Sequence, residues 1–188
     1  MKRIFLTLAL LANLTMIVSL VLGLKIGDPM QDGGLNPEVN ASIGTHILIG
    51  LGALSGTTLV HALLFTYFMG TGRWIEETSE AYHLSDEFHK ANQKVKYRTL
   101  PGILISFLMI LATGTLGAVA DTATTASLES ITGIKDATLH FTMAVSTWLV
   151  TLIINVTQYV AISQNSSIVE AVLAEVRRIR LERGLEVE

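Results

Sequence analysis

The chain has 188 residues, of which 50% are hydrophobic, and its 13 Lys and Arg against 16 Asp and Glu give a net charge of −3. This charge excludes a general nucleic-acid binder, which needs a basic surface. The absence of cysteine excludes disulfides, iron–sulfur ligation and covalently attached c-type haem, because all three need thiols. At this length we expect one compact unit.

Four long stretches of the sequence contain no Asp, Glu, Lys or Arg. They are 4–24, 39–72, 99–120 and 137–169. Each is long enough to cross the hydrocarbon core of a bilayer, which takes about 20 apolar residues in a helix, and none alternates like a barrel strand. We therefore predict an all-α protein, an integral membrane four-helix bundle in the lipid bilayer. The expected spans are about 4–24, 43–69, 99–120 and 138–162.

The basic residues indicate the orientation of these spans. Eleven of the 13 precede the first span, lie in the polar segment 70–98 or follow the fourth span, whereas only Lys25 and Lys135 lie at the other end. Because Lys and Arg are enriched in cytoplasmic segments, we expect both termini and the loop 70–98 to be cytoplasmic. The location predicted is the inner (cytoplasmic) membrane, with the first stretch kept as an anchor rather than cleaved as a signal peptide.

The residues after the fourth span predict a separate cytoplasmic C-terminal helix over 165–188. Polar residues at 163–167 interrupt the apolar run, and Ser167 with Glu170 forms a capping-box pattern. A short heptad-like seam follows, at Val169, Val172, Val176 and Ile179. Two roles stay open for this amphipathic helix: packing on the bundle or the membrane surface, and pairing with a second copy or a larger membrane complex through 165–183.

Three of the five histidines fall within the predicted spans, namely His46, His61 and His140. Ionisable groups at membrane depth are costly, so they usually face the bundle interior and mark a working site. Counting about 1.5 Å per residue from the outer ends of their helices places His46 and His140 at nearly the same height. Asp121, at the end of the third span, belongs to that level. Two imidazoles beside a carboxylate are able to hold a metal or a haem.

Small and hydroxylated residues share the inward faces of these helices. They include Gly50, Gly117, Thr147 and Asn155. Such faces also serve ordinary packing of membrane helices, so they mainly indicate which sides turn inward. His61 lies deeper, about 12 Å above the inner end of its helix, at a depth comparable to Asn13, Met109 and the turn 151–155.

In this arrangement the chain resembles the four-helix core of membrane b-type cytochromes, in which the second and fourth helices carry paired histidines that clamp one haem near each face. His46 and His140 match the outer pair. The resemblance implies a haem b with these two histidines as axial iron ligands. Gly50, Gly117 and Thr147 would line the group.

The chain matches the inner haem site of that family only in part. His61 follows His46 by fifteen residues and matches the inner position on the second helix, so it is a candidate for a second metal site. The residue fifteen after His140 is Asn155, and asparagine is not an expected haem ligand. The resemblance therefore implies one haem toward the outside, with Asp121 and Asn155 as residues around the ligands.

These observations predict a haem-binding electron-transport subunit that exchanges electrons between the quinone pool and a partner redox protein. The alternatives for His46 and His140 are a hydrogen-bonding pair and a Cu or Zn site with Asp121. The alternative function is a cofactor-free structural or assembly subunit of a membrane complex. A third is a path for protons or small solutes along His61, Asn155 and Thr151. The sequence has no HExxH helix, phosphate-cradling loop or Ser–His–Asp set, so we expect no catalysis by this chain alone.

Overall fold

The structure is a computed structural model and describes residues 1–27, 30–31, 34–121 and 123–186. Four long α-helices make up most of this part of the chain: α1 (Lys2–Leu24), α2 (Pro37–Tyr82), α3 (Glu87–Ala120) and, later in the chain, α5 (Asp136–Glu182). Antiparallel β1 (Met30–Gln31) and β2 (Gly34–Leu35) lie between α1 and α2, and the short α4 (Glu129–Thr132) precedes α5. The predicted all-α class is confirmed.

All four long helices are long and apolar enough to cross a membrane, and each contains one of the predicted spans. Large apolar side chains cover the outside of the bundle. Leu10 is 61% exposed, Leu48 is 70% exposed and Leu111 is 64% exposed. A water-soluble monomer rarely shows so extensive an apolar surface, whereas lipid chains would cover it.

The helices pack in the order α1, α2, α3, α5, with α5 closing the bundle against α1. Helices α2 and α5 also touch across the middle. They run in the same direction, because His46 lies near His140 and His61 lies near Gln158 further along both helices. We call the end that contains His46 and His140 the histidine end, and the opposite end, which contains 70–98, the basic end.

Local signals explain where the helices begin and end. The Asn36 side chain accepts hydrogen bonds from the backbone N–H groups of Glu38 and Val39, and Pro37 occupies the first turn of α2. Helix α2 ends where His83 adopts a left-handed conformation with φ 53°. At the start of α5, the Asp136 carboxylate accepts hydrogen bonds from the segment just before α4.

The segment 70–98 is more regular than the predicted loop. Helix α2 continues through Tyr82, α3 begins at Glu87, and only the turn between them is non-helical. The Ser85 hydroxyl accepts a hydrogen bond from the backbone N–H of Glu87, at the start of α3. The two helices therefore extend beyond the predicted spans as a helical hairpin at the basic end.

The predicted separate helix over 165–188 is instead the last part of α5, which is continuous from Asp136 to Glu182. Two of the polar residues that suggested a break have partners on other helices. Asn165 accepts a hydrogen bond from Asn92 of α3 at 2.6 Å and donates one to Thr71 of α2 at 2.9 Å. Gln164 accepts a hydrogen bond from Arg98. Because these side chains are satisfied by neighbouring helices, they do not compete with the helix backbone.

The heptad-like seam is largely covered within the single chain. Val172 is fully buried, and Val169, Val176 and Ile179 are half-buried. This burial favours packing of the seam on the chain's own helices. Pairing with a second copy through 165–183 stays a prediction.

Removing the Asn165 side chain should weaken the basic end. In Asn165→Ala, the buried Asn92 amide loses its partner, which costs about 1–3 kcal/mol, and the half-buried Thr71 hydroxyl loses the hydrogen bond that it accepts. We expect a lower unfolding temperature in detergent, measured by circular dichroism. The neighbouring exposed Gln164→Ala is the control and should change this temperature much less. Equal effects of the two variants would contradict the role assigned to Asn165.

Candidate functional site: the histidine cavity

The structure brings His46 of α2 and His140 of α5 together near the histidine end. Their ring centres are 6.0 Å apart and the ring planes are inclined by 77°. Both side chains are half-buried. Since α2 and α5 are diagonal partners, the two imidazoles approach each other across the inside of the bundle.

The His46 ring is held in one tautomer by the backbone of α1. Its Nδ1 lies 3.0 Å from the Ser19 carbonyl oxygen. A carbonyl oxygen only accepts hydrogen bonds, so Nδ1 carries the proton. In a neutral imidazole this leaves the lone pair on Nε2, which is then free to bind a metal. Fixing one ring nitrogen by a backbone carbonyl is the common way in which proteins orient a metal-binding histidine.

The Nδ1 of His140 is buried and has no hydrogen-bond partner among the described residues. An unpaired nitrogen of this kind is expensive inside a membrane protein. The His140 ring, which lies beside the backbone of Thr113, therefore has a nitrogen that is still able to bind a hydrogen-bond partner or a metal.

Both histidines line a cavity of about 540 Å³, which is within the usual range for small-molecule and cofactor sites. All four long helices contribute to its wall. The lining is mostly apolar and small, including Gly23 and Leu20 from α1, Gly50 and Leu54 from α2, Gly114 and Gly117 from α3, and Ala144 from α5.

Glycines allow the helices to approach the two rings closely. A Cβ atom at Gly23 would lie 3.0 Å from Cε1 of His46, and one at Gly117 would lie 3.1 Å from Cε1 of His140. A Cβ atom at Gly50 would lie 3.2 Å from the Ser19 hydroxyl. The predicted residues Gly50 and Gly117 thus line the cavity, and Gly117 gives space to a histidine ring.

Of the other predicted site residues, Asp121 lines the cavity and Thr147 lies deeper in the bundle. Asp121 lines the cavity, is half-buried, and accepts a hydrogen bond from the backbone N–H of Ala123 at 3.0 Å. Thr147 is fully buried about 10 Å further along α5 than His140. Its hydroxyl bonds to that of Thr113 at 2.7 Å, and Thr113 in turn lines the cavity. Thr147 therefore reaches the site through Thr113.

His61 occupies a second, separate position, deep in the bundle. It is fully buried, its Nδ1 bonds to the Gln158 side-chain amide, and its ring lies 6.4 Å from that of Phe107. Asn155 is 7% exposed one turn away on α5, but the hydrogen-bond partner of His61 is Gln158. The Asn13 amide donates to the backbone of its own helix.

The contribution of α1 to the cavity was not predicted from the sequence. Ser19 and Gly23 contact His46 from this helix, although neither carries a chemically distinctive side chain. The available signal was spacing, because Met16, Ser19 and Gly23 lie on one face of α1 at intervals of three and four residues. The sequence does not say how α1 is aligned along α2, so this face alone indicates helix packing and not a contact with His46.

The donor set limits which metals the cavity can hold. Across the described part of the chain there is no group of three or more His, Cys, Asp and Glu residues able to hold a metal ion. Zinc sites use three or four protein ligands, so Asp121 does not complete one with His46 and His140. Two histidines are enough to hold a planar metal cofactor whose own ring supplies the remaining ligands. Without a metal, they are able to form a hydrogen-bonded pair.

No family model, curated protein or solved structure matches the chain. The site is therefore interpreted from its own geometry.

The close approach at Gly117 predicts a contrast between two glycine substitutions. Replacing Gly by Ala within a helix is usually favourable by about 1 kcal/mol, and at Gly52 nothing lies within 4 Å of the added methyl group. We expect Gly52→Ala to raise the unfolding temperature in detergent. Gly117→Ala should fail to raise it, because the methyl group presses on the His140 ring. A similar rise in both variants would contradict the close packing of that ring.

Proposed function

We propose that the chain binds one haem b between His46 and His140 and acts as an electron carrier in a membrane. The observation that carries this proposal is the pair of imidazoles that come within 6.0 Å of each other from diagonal helices, in the wall of a cavity lined by all four helices. Metal–imidazole bonds of about 2 Å on either side of an iron place the centres of two axial rings roughly 6 Å apart. The observed separation of 6.0 Å agrees with this requirement.

The surroundings of the two rings also fit a haem. His46 has its Nε2 lone pair available because Nδ1 donates to Ser19. The apolar, glycine-rich wall of the cavity leaves room for a flat macrocycle. The group needs two protein ligands, which is the number that the cavity offers.

The residues around His61 do not fit a second haem. All five histidines of the chain lie in the described part, and the other four are remote from His61 or already paired at the first site. The amide of Gln158 occupies one nitrogen of the ring. We therefore propose a single haem, at the histidine end.

When bound, the haem would supply reversible one-electron chemistry, with its potential set by the axial ligands and their surroundings. The chain's own residues orient and insulate the site. The Ser19 carbonyl fixes the His46 ring, Gly117 admits the His140 ring, and the Thr113–Thr147 pair closes the inner side of the cavity. The catalysed reaction would then belong to partner proteins.

The sequence supports an orientation for this carrier. Eleven basic residues lie at the basic end and two at the histidine end, so the histidine end is proposed to face the outside of the inner membrane. A haem there would exchange electrons with quinol in the bilayer and with a redox partner at the outer surface. The helical hairpin and the end of α5 would offer the cytoplasmic docking surface.

Absorbance spectra of the protein purified in detergent test this function. We expect a Soret band, a sharp α band after dithionite reduction, and about one haem per chain, as two axial histidines imply. His46→Ala and His140→Ala should each abolish or strongly shift these bands, because one axial ligand is lost.

His89→Ala is the control for these variants, since His89 lies in the hairpin and bonds to Gln93. Its spectrum should equal that of the unaltered protein. If the purified protein has no Soret band, and supplying haem during expression or afterwards produces none, the proposal is wrong and a cofactor-free structural subunit is the better interpretation.

A further inference from the structure

Below the histidine cavity, the bundle contains a group of buried polar side chains that the proposed haem site does not use. We call it the polar column and define it as Ser106, Thr151, Asn155 and His61. Ser106 and His61 are fully buried, Thr151 is 1% exposed and Asn155 is 7% exposed. The spans that contain these residues have no Asp, Glu, Lys or Arg.

Each member of the polar column has a buried atom without a hydrogen-bond partner among the described residues. These atoms are Oγ of Ser106, Oγ1 of Thr151, Oδ1 of Asn155 and Nε2 of His61. A polar group left unpaired in the interior costs several kcal/mol in a membrane. Four such groups in one region therefore point to a ligand that bonds to them.

Helix geometry places these atoms at successive heights. The bond between Thr113 and Thr147 fixes the register of α3 against α5. From that bond, a rise of about 1.5 Å per residue puts Ser106 between Thr151 and Asn155 in height. His61 follows one turn further, where it bonds to Gln158. The polar column thus occupies roughly 10 Å along the bundle axis.

The two ends of the polar column differ. Toward the histidine end it adjoins the Thr113–Thr147 pair, and Thr113 lines the cavity. Toward the basic end lie the fully apolar side chains of Leu64, Phe68 and Ile162, which are 0–2% exposed and belong to the hydrophobic core. This apolar layer separates the polar column from the Asn92–Asn165 bond.

We infer that the polar column binds ordered water and that His61 exchanges ring protons with this water. Water fits these four atoms because it both donates and accepts hydrogen bonds. It would donate to the Asn155 oxygen and accept from the hydroxyls of Ser106 and Thr151. Toward Nε2 of His61 it would act as either donor or acceptor. Buried waters typically make about three such hydrogen bonds. The site thereby gives His61, deep in a span without Asp, Glu, Lys or Arg, a partner for proton exchange, whether or not haem is bound.

Hydrogen exchange at the Cε1 position of histidine tests this inference. That hydrogen exchanges with D2O only when water reaches the ring and the ring can gain a proton, and mass spectrometry of peptides resolves each histidine. The exposed His83 serves as the reference within the same molecule. We expect His61 in the intact protein to exchange within about tenfold of the rate of His83, because a hydrated ring needs no unfolding to exchange.

Two variants test whether the polar column causes this exchange. Thr151→Val and Ser106→Ala each remove a partner for water and should slow exchange at His61 by about tenfold or more. Thr115→Val is the matched control, because the Thr115 hydroxyl is exposed on the outside of the bundle and bonds to its own helix. It should leave the exchange of His61 unchanged.

The result that would overturn the inference is a His61 ring that shows no exchange while His83 exchanges completely. Equal exchange in the intact protein, Thr151→Val and Ser106→Ala would also overturn it. The outcome is separable from that of the proposed function. A protein without a Soret band can still exchange at His61, and a haem-binding protein can have a dry His61.

Discussion

The low polarity of the bundle interior is the constraint on which this structure depends. An imidazole, hydroxyl or amide inside such a bundle must find a partner, because water is not freely available to it. The bundle places such polar groups in three regions. It turns two histidines toward each other across a cavity, ties three helices together through Asn165 at the basic end, and collects a set of unpaired polar atoms around His61.

These three regions have different chemical capacities. At the basic end, Asn165 bonds to the Asn92 amide and to the Thr71 hydroxyl, and these two bonds fix the register of α2, α3 and α5. The histidine cavity is larger and is walled by glycine and apolar side chains, which suits a flat, apolar group with a metal at its centre. The region around His61 is lined by hydroxyls and an amide, which suits water. Nothing in the first region competes with the proposed haem site, because the hydrophobic core lies between them.

Much of the fold follows from the sequence because charge is so unevenly distributed. The four charge-free stretches locate the helices, and counting along them places His46 and His140 at one height without any structural information. The continuity of α5 was not predictable in the same way. Ser163–Ser167 breaks the apolar pattern, and only the neighbouring Asn92, Arg98 and Thr71 explain why the helix continues through it.

Contacts between helices were the hardest part to predict. The sequence places the turn 151–155 at the depth of His61, whereas the hydrogen-bond partner of His61 in the structure is Gln158, because the register between α2 and α5 is set by packing along their whole length. The same reason applies to Ser19, whose backbone carbonyl orients His46. A backbone group has no sequence signature, so its role becomes visible only when α1 is placed beside α2.

Electron paramagnetic resonance of the oxidised protein is the most direct test of the central claim. If His46 and His140 hold a haem with their ring planes inclined by 77° as in this structure, the oxidised protein should give a low-spin ferric signal with the strong anisotropy of nearly perpendicular ligand planes. This signal should be absent from both His46→Ala and His140→Ala. A high-spin signal from a haem bound to the unaltered protein, or a low-spin signal that survives in either variant, would contradict ligation by this pair.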